Sequence, residues 1–219
     1  MRDCVRGRGW RLAISYTDVF ATRVQEHEYW DDRYQSGGEF DWYVRWGNPV
    51  TRRVFEVFMD KTDRVLHIGI GNSNFAAEMY EDGYENQVAM DISSVVIDQM
   101  RAKFGQSCAK LKFETMNVLE LAYETGSFDV AFDKGTLDAI ACGSNSTDNI
   151  AQMLRQVCRV LRPGGRFVLI TYGAPDTRME YLKDPELPWV PVHTEVNVTT
   201  DEGEERTYHV YVATKEKTA

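Results

Sequence analysis

Short apolar runs alternate with helix-spaced apolar residues through most of the chain. The spacing predicts strands at 64–68, 87–91, 111–115, 127–132 and 166–172, with helices at 73–82, 93–104 and 147–161. Helices that connect apolar strands indicate βαβ units and a parallel sheet with helices on both faces. Near the end, β-rich runs at 190–199 and 206–214 flank a polar loop and predict an antiparallel hairpin. The sequence therefore predicts an α/β fold with a mostly parallel seven-stranded sheet and an antiparallel C-terminal hairpin.

The segment before the first strand has a different character. Aromatic and apolar residues between 17 and 34 suggest a helix, and Asn48 and Pro49 are a cap and a first-turn residue for another. We therefore expect a flexible extension at 1–16 and a single domain at 17–219. Within that domain, 17–60 would form a helical cover and 61–219 the sheet-containing core.

Two glycines follow the first predicted strand. Gly69 and Gly71 would form a tight turn into a helix, where backbone can approach a ligand and free N–H groups can donate to it. The next strand ends in Asp91, at the position of a ribose-binding carboxylate. Nicotinamide-binding turns have Gly or Ala where this chain has Asn74. The bulkier residue, together with the terminal hairpin, favours S-adenosylmethionine over NAD and disfavours a nicotinamide oxidoreductase.

Composition and charge exclude several other classes. The chain has 219 residues, 43% of them apolar, and a formal net charge of −9, which fits one globular domain and argues against a nucleic-acid binder. An acidic surface can attract a basic protein. The four cysteines and four histidines form no metal-ligand spacing, and no apolar run is long enough to span a membrane. We expect no metal, no membrane contact and a cytoplasmic location.

Several motifs are more specific than the glycine turn. They lie at 28–34, 41–42, 65–73, 91–97, 114–118, 128–130, 133–139 and 160–167. On these stretches the chain resembles the class I S-adenosylmethionine-dependent methyltransferases. Within them it is similar to the methyltransferase-like group that includes lysine methyltransferases of elongation factor 1-alpha. The resemblance implies a Rossmann-like core and S-adenosyl-L-methionine as cofactor, with S-adenosyl-L-homocysteine as product.

The resemblance also implies a set of cofactor contacts. The glycine turn would approach the methionine arm, Asp91 would accept from both ribose hydroxyls, and Asn117 would replace the usual Asp beside adenine. Aromatic residues of the cover would close around the sulfonium. The full set is Trp30, Tyr34, Trp42, Gly69, Gly71, Asn72, Asp91, Ile92, Asn117, Val118 and Lys134.

Candidate catalytic residues follow the fourth strand. Asp133 or Asp138 would orient an incoming amine, and Lys134 would contact the cofactor carboxylate or frame the opening for the target. Residues 172–190 would form the acceptor rim, in which Trp189 is either a rim contact or a buried packing residue. His67 replaces an acid found in many class I methyltransferases, and we interpret it as a packed strand residue.

These residues lead to one preferred function. We expect a monomeric N-methyltransferase acting on a protein lysine, with elongation factor 1-alpha as a possible substrate. Methyl transfer requires alignment rather than a catalytic triad or a metal, and none is found in the sequence. Two alternatives stay open: a small-molecule methyltransferase and a non-catalytic partner protein that binds S-adenosylmethionine.

Overall fold

A computed structural model describes residues 27–38, 40–199 and 203–217 of the chain. The expected extension at 1–16 and the start of the expected cover helix lie outside these residues. The described cover begins with helix α1 (His27–Ser36), which ends before the two glycines, and continues with α2 (Pro49–Glu56). Asn48 caps α2 as predicted, since its Oδ1 accepts from Val50 N at 2.9 Å.

The core is a seven-stranded sheet. The strands are β1 Val65–Ile68, β2 Gln87–Asp91, β3 Lys112–Thr115, β4 Phe128–Lys134, β5 Leu161–Thr171, β6 Trp189–Thr199 and β7 Glu205–Lys215. Their order in the sheet is β3-β2-β1-β4-β5-β7-β6. Strand β7 is antiparallel to both of its neighbours, and all pairs among the first five strands are parallel. The predicted mostly parallel sheet with an antiparallel C-terminal hairpin is therefore confirmed.

Helices cover both faces of this sheet. They are α3 Phe75–Glu81, α4 Ser94–Phe104, α5 Thr136–Cys142, α6 Ser146–Val160 and α7 Pro175–Leu182. Successive residues of β1 face opposite clusters: Leu66 packs with α6, and Val65 packs with α2 and α3. Burying one such aliphatic side chain contributes about 1.5–3 kcal/mol. No helix among the described residues is long and apolar enough to cross a bilayer.

Two helices and one strand boundary differ from the sequence prediction. α5 has only seven residues and begins after Gly135, whose φ of 96° marks a sharp turn. α7 begins with a favourable proline but buries only Leu182, so it has no apolar stripe. β5 begins at Leu161, and 162–165 bulge out between two registered pairs with β4. Pro163, Gly164 and Gly165 therefore belong to a bulge within the strand.

Candidate functional site

The turn after β1 needs glycine at two positions. Gly69 and Gly71 have φ values of +59° and +56°, which L side chains rarely adopt. A Cβ on Gly69 would lie 2.0 Å from Oγ1 of Thr136, which donates to the carbonyl of Ile68 at 3.0 Å. A Cβ on Gly71 would lie 2.9 Å from the hydroxyl of Tyr34. The turn is therefore packed between the start of α5 and the cover.

Asp91 lies at the end of β2, beside this turn. Its Oδ2 accepts from Gly71 N at 2.9 Å, and its Oδ1 accepts from Ser93 N at 3.0 Å. Burial raises the pKa of Asp91 to about 6, although these backbone donors favour the ionised form. Each carboxylate oxygen still has a lone pair for a further donor. Two neighbouring hydroxyl groups, as in a ribose, fit this arrangement.

The end of β3 lies next to Asp91. Thr115 pairs with Asp91 in the sheet, and Met116 N donates to the Asp91 carbonyl at 2.8 Å. The following Asn117 is exposed, and its Oδ1 accepts from Leu119 N at 2.9 Å. The side-chain oxygen of Asn117, which was expected to accept from adenine, therefore already accepts one hydrogen bond from a neighbouring residue.

Two further expected adenine contacts differ in their burial. Val118 is buried in the core beneath this edge, whereas Ile92 is partly exposed beside Asp91. Of the two, only Ile92 offers apolar surface outside the core.

The cover lies over the glycine turn. Trp30 and Tyr34 stack with ring centroids 5.8 Å apart, so they share a face of α1. Asn72 fixes the segment after α1, since its Nδ2 donates to Gly38 O at 2.9 Å and its Oδ1 accepts from Phe40 N at 3.2 Å. Asn72, which the sequence placed among the cofactor contacts, thus joins turn and cover.

Little space is left between cover and turn. The cavity here measures about 20 Å³, which is enough for about one water molecule. It is lined by Arg33, Tyr34, Gly37, Gly38, Phe40, Trp42 and Asn72. The Tyr34 hydroxyl lies against Gly71, so this part of the cover is packed on the turn.

Lys134 connects β4 to the cover. Its Nζ donates to the carbonyl of Trp42 at 2.9 Å and pairs with Asp41 at 3.5 Å, and only 8% of its side chain is exposed. Burial lowers the pKa of Lys134, and the Asp41 carboxylate opposes that shift. Asp41 also accepts from the hydroxyl of Ser73. The ammonium group thus fixes 41–42 above the carboxyl edge of the sheet.

Asp133 is fully buried at the start of α5. Its two oxygens accept from Thr136 N at 2.7 Å and Leu137 N at 2.9 Å. Burial raises the pKa of Asp133 to about 7, against the effect of these donors. The carboxylate therefore satisfies free N–H groups of the helix. It lies beneath the edge rather than on its surface.

Asp138 is the centre of a polar cluster. Its Oδ2 accepts from the hydroxyl of Tyr43 at 2.6 Å, and its Oδ1 accepts from Arg178 Nη2 at 2.7 Å. Thr171 Oγ1 also donates to Oδ1. The cluster joins the cover, α5, β5 and α7. Arg178 lies within the predicted rim at 172–190, but its contact with Asp138, like those of Tyr43 and Thr171, had no sequence signal because it depends on the fold.

Three tyrosines lie beside Asp138. The ring centroids of Tyr43, Tyr172 and Tyr208 are 4.9–5.3 Å apart. Burial raises the pKa of Tyr43, and it raises that of Tyr208 to about 12. Tyr172 is 48% exposed, so the group presents an aromatic surface at the end of β5. Tyr172 is the first residue of the predicted acceptor rim at 172–190, whereas Tyr208 was not among the sequence candidates.

Trp189 does not belong to this rim. It is 6% exposed, stacks on Phe167 at 5.8 Å and donates its Nε1 proton to the Leu182 carbonyl at 2.8 Å. Of the two roles expected for Trp189, buried packing agrees with these contacts, and the residue belongs to the core.

His67 is packed inside the sheet. It lies beside the stacked rings of Phe75 and Phe132, and its Nε2 is hydrogen-bonded to Gln87. Burial lowers the pKa of His67 to about 4, so the imidazole is neutral at pH 7. The interpretation of His67 as a packed strand residue agrees with these contacts.

Comparison with known proteins adds relatives to this geometry. A family model described as "Methyltransferase domain" matches residues 59–210. EEF1A lysine methyltransferase 4 of Bos taurus is 36% identical over 174 residues, which are 75% of this chain and 68% of that protein. The Mus musculus protein is 33% identical over 183 residues, 78% of this chain and 71% of its own.

A solved structure has the same fold. It is the Burkholderia thailandensis 1,6-didemethyltoxoflavin-N1-methyltransferase with bound 1,6-didemethyltoxoflavin and S-adenosylhomocysteine. The TM-score is 0.63 at 18% identity, with coverage of 95% of this chain and 94% of that one. At this identity the likeness concerns the fold.

Proposed function

Because the chain belongs to the class I S-adenosylmethionine-dependent methyltransferases of the EEF1A lysine methyltransferase group, we propose that it methylates the side-chain amine of a protein lysine. The observation that carries the proposal is the buried Asp91 carboxylate beside the Gly69–Gly71 turn. It offers acceptors for two hydroxyl groups at the edge of the sheet where α/β proteins bind ligands.

The residues of this edge suit S-adenosylmethionine. When bound, this cofactor supplies a methyl group activated by a sulfonium. Asp91 would hold the ribose hydroxyls, and Ile92 and Asn117 would lie beside the adenine. The two glycines would let the backbone approach the methionine arm, because neither carries a side chain.

The cavity between the cover and the glycine turn is too small for the cofactor. Sites for small molecules of this size typically measure roughly 300–1,000 Å³, far more than the present cavity. We propose that α1 and 37–42 move outward on entry and then close again. On closure Trp30, Tyr34 and Trp42 would exclude water, and an aromatic face over a sulfonium contributes about 1 kcal/mol.

Lys134 would set the position of the cover, since it holds the Trp42 carbonyl and Asp41. In the closed cover its ammonium would lie close enough to the edge to attract the cofactor carboxylate.

The acceptor would approach beside Asp138. A target lysine must lose a proton before it attacks, and partial desolvation among Tyr43, Tyr172 and Tyr208 favours the neutral amine. Asp138, already fixed by Arg178, would orient that amine through its carboxylate or through the Tyr43 hydroxyl. Asp133 would act indirectly by holding the start of α5. Positioning of the two reactants supplies about 7–11 kcal/mol of a barrier in well-oriented systems.

We propose elongation factor 1-alpha as the protein substrate, because the two relatives described above are named EEF1A lysine methyltransferase 4. The enzyme would act as a monomer in the cytoplasm, where translation takes place. The domain would span 17–219, with 17–60 as its cover. A net charge of −9 would favour a basic partner surface.

The proposal is tested by transfer of a radiolabelled methyl group. The purified chain is incubated with labelled S-adenosylmethionine and either elongation factor 1-alpha or cell lysate, and the lysate is separated into protein and small-molecule fractions. We expect label on protein lysine, and its loss with Asp91→Ala. Label in the small-molecule fraction would identify a small-molecule methyltransferase. Cofactor binding without any transfer would identify a non-catalytic partner.

A further inference from the structure

Three potential metal ligands lie on one face of the C-terminal hairpin. The register pairs Glu195 with His209 and His193 with Tyr211. Alternation along the two strands therefore places both histidines and Glu195 on the same face. His193 Nε2 lies 3.0 Å from His209 Nδ1, and that nitrogen lies 3.7 Å from Glu195 Oε1. All three ligand atoms lie within 4.8 Å of one another.

These separations suit a tetrahedral metal ion. Zinc binds histidine nitrogen and carboxylate oxygen at about 2.0–2.2 Å, which places tetrahedral ligand atoms about 3.3 Å apart. The two shorter separations, 3.0 and 3.7 Å, lie on either side of that value. Two histidines and one carboxylate, with a position left for water, form a known type of zinc site. We propose that His193, Glu195 and His209 bind one divalent ion of the zinc class.

The surroundings of the three groups fit this proposal. Both strands belong to a long ladder, so the backbone holds the ligands in place without a bound ion. The His209 side chain is 17% exposed and that of Glu195 is 54% exposed, so an ion can enter from the carboxylate side. Asp176, on the neighbouring α7, adds a negative charge near His209.

A bound ion would stiffen the sheet next to the acceptor side. His209 pairs with Thr171 across the β5–β7 ladder, and Thr171 donates to Asp138. An ion bound by both strands of the hairpin would therefore stiffen the segment that carries Tyr208. The site does not depend on the proposed reaction, and it differs from the expectation, drawn from linear spacing, that the chain binds no metal.

Zinc titration of the metal-free full chain tests the proposal, after removal of any affinity tag. Calorimetry and native mass spectrometry should give one Zn²⁺ per chain, and Co²⁺ should give the visible absorption of tetrahedral coordination. Zinc should also raise the melting temperature, because an ion that binds the folded chain stabilises it.

Single variants assign the ion to this site. His193→Gln and Glu195→Gln should each weaken zinc binding by at least about tenfold, since loss of a ligand exceeds the effect of losing an outer contact. His27→Gln is the matched control, because His27 is also paired with a carboxylate, that of Asp31 at 3.3 Å. The exposed Glu195 can change without disturbing the core, and circular dichroism checks the fold of each variant. Absence of saturable binding, or equal binding by all variants, would leave only a hydrogen-bonded trio and overturn the proposal.

Discussion

The two sides of the carboxyl edge are built in different ways. On the cofactor side, the glycine turn directly follows β1 and the acid is the last residue of β2, so both lie at the ends of neighbouring strands. On the acceptor side, Asp138 meets Tyr43, Thr171 and Arg178, which come from distant parts of the chain. The first kind of site is encoded locally, and the second exists only once the sheet and its helices have assembled.

The two sides also differ in how their buried acids are stabilised. Among the residues that the structure describes, Asp91 has backbone donors and no ion pair, and burial raises its pKa to about 6, so its ionised form is unfavourable in the folded chain. Asp138 forms an ion pair with Arg178, in which both side chains are nearly buried. We infer that Asp91 is retained for a ligand, whereas Asp138 holds the acceptor side together.

The largest expected effect is a loss of stability caused by a substitution on the acceptor side. Asp138→Ala leaves the Arg178 charge buried without its carboxylate, and loss of one partner of a buried pair typically costs about 3–5 kcal/mol. Chemical denaturation should show a loss of that size in the free energy of unfolding. Below the melting transition, S-adenosylmethionine affinity should stay within about threefold of the wild type, about 0.7 kcal/mol, because Asp91 and its turn are unchanged.

A double substitution isolates the pair. Asp138→Ala with Arg178→Met should be less destabilising than the sum of the two single changes, because no charge is left unpaired. Additive effects would mean that the pair contributes little, and the contrast with Asp91 would be lost.

On the cofactor side we expect the opposite result, a large loss of cofactor affinity with little loss of stability. Asp91→Asn should weaken S-adenosylmethionine binding about 100-fold, since it weakens charge-assisted hydrogen bonds to two hydroxyls. The free energy of unfolding should stay within about 1 kcal/mol of the wild type, because relief of a buried charge offsets one weakened backbone contact. Calorimetric titration and denaturation measure the two quantities.

Asp98→Asn is the control for this variant, since Asp98 is an exposed acid on the helix that follows Asp91. Equal cofactor affinity of both variants would contradict the assignment of Asp91. A large loss of stability in Asp91→Asn would show that this acid, too, is structural.

The contrast between local and long-range contacts explains which parts of the structure could be predicted from the sequence. The strands, the hairpin and the glycine turn follow from apolar period and turn chemistry, which are local. α7 has no apolar stripe, so no periodicity marked it, and Trp189 could be assigned to the core only after Phe167 was placed against it. The pairing of His193 with His209 depends on hairpin register. Residue type and linear spacing alone do not determine such contacts.

The smallest effect is a pH dependence of cofactor binding. Because the raised pKa of Asp91 is about 6, the free protein binds a proton there as pH falls from 7 to 5, and only the ionised carboxylate offers its full acceptors. Affinity for S-adenosylmethionine should therefore fall about tenfold at pH 5 relative to pH 7.

The free energy of unfolding should change with pH in the opposite direction. A carboxyl whose pKa is higher in the folded than in the unfolded chain favours folding at low pH, and that contribution is lost as pH rises through 6. Asp91→Asn should remove both effects, which also separates them from titration of the cofactor itself. An Asp91→Asn variant with the same pH dependence as the wild type would assign the titrating group elsewhere and remove the distinction between the two acids.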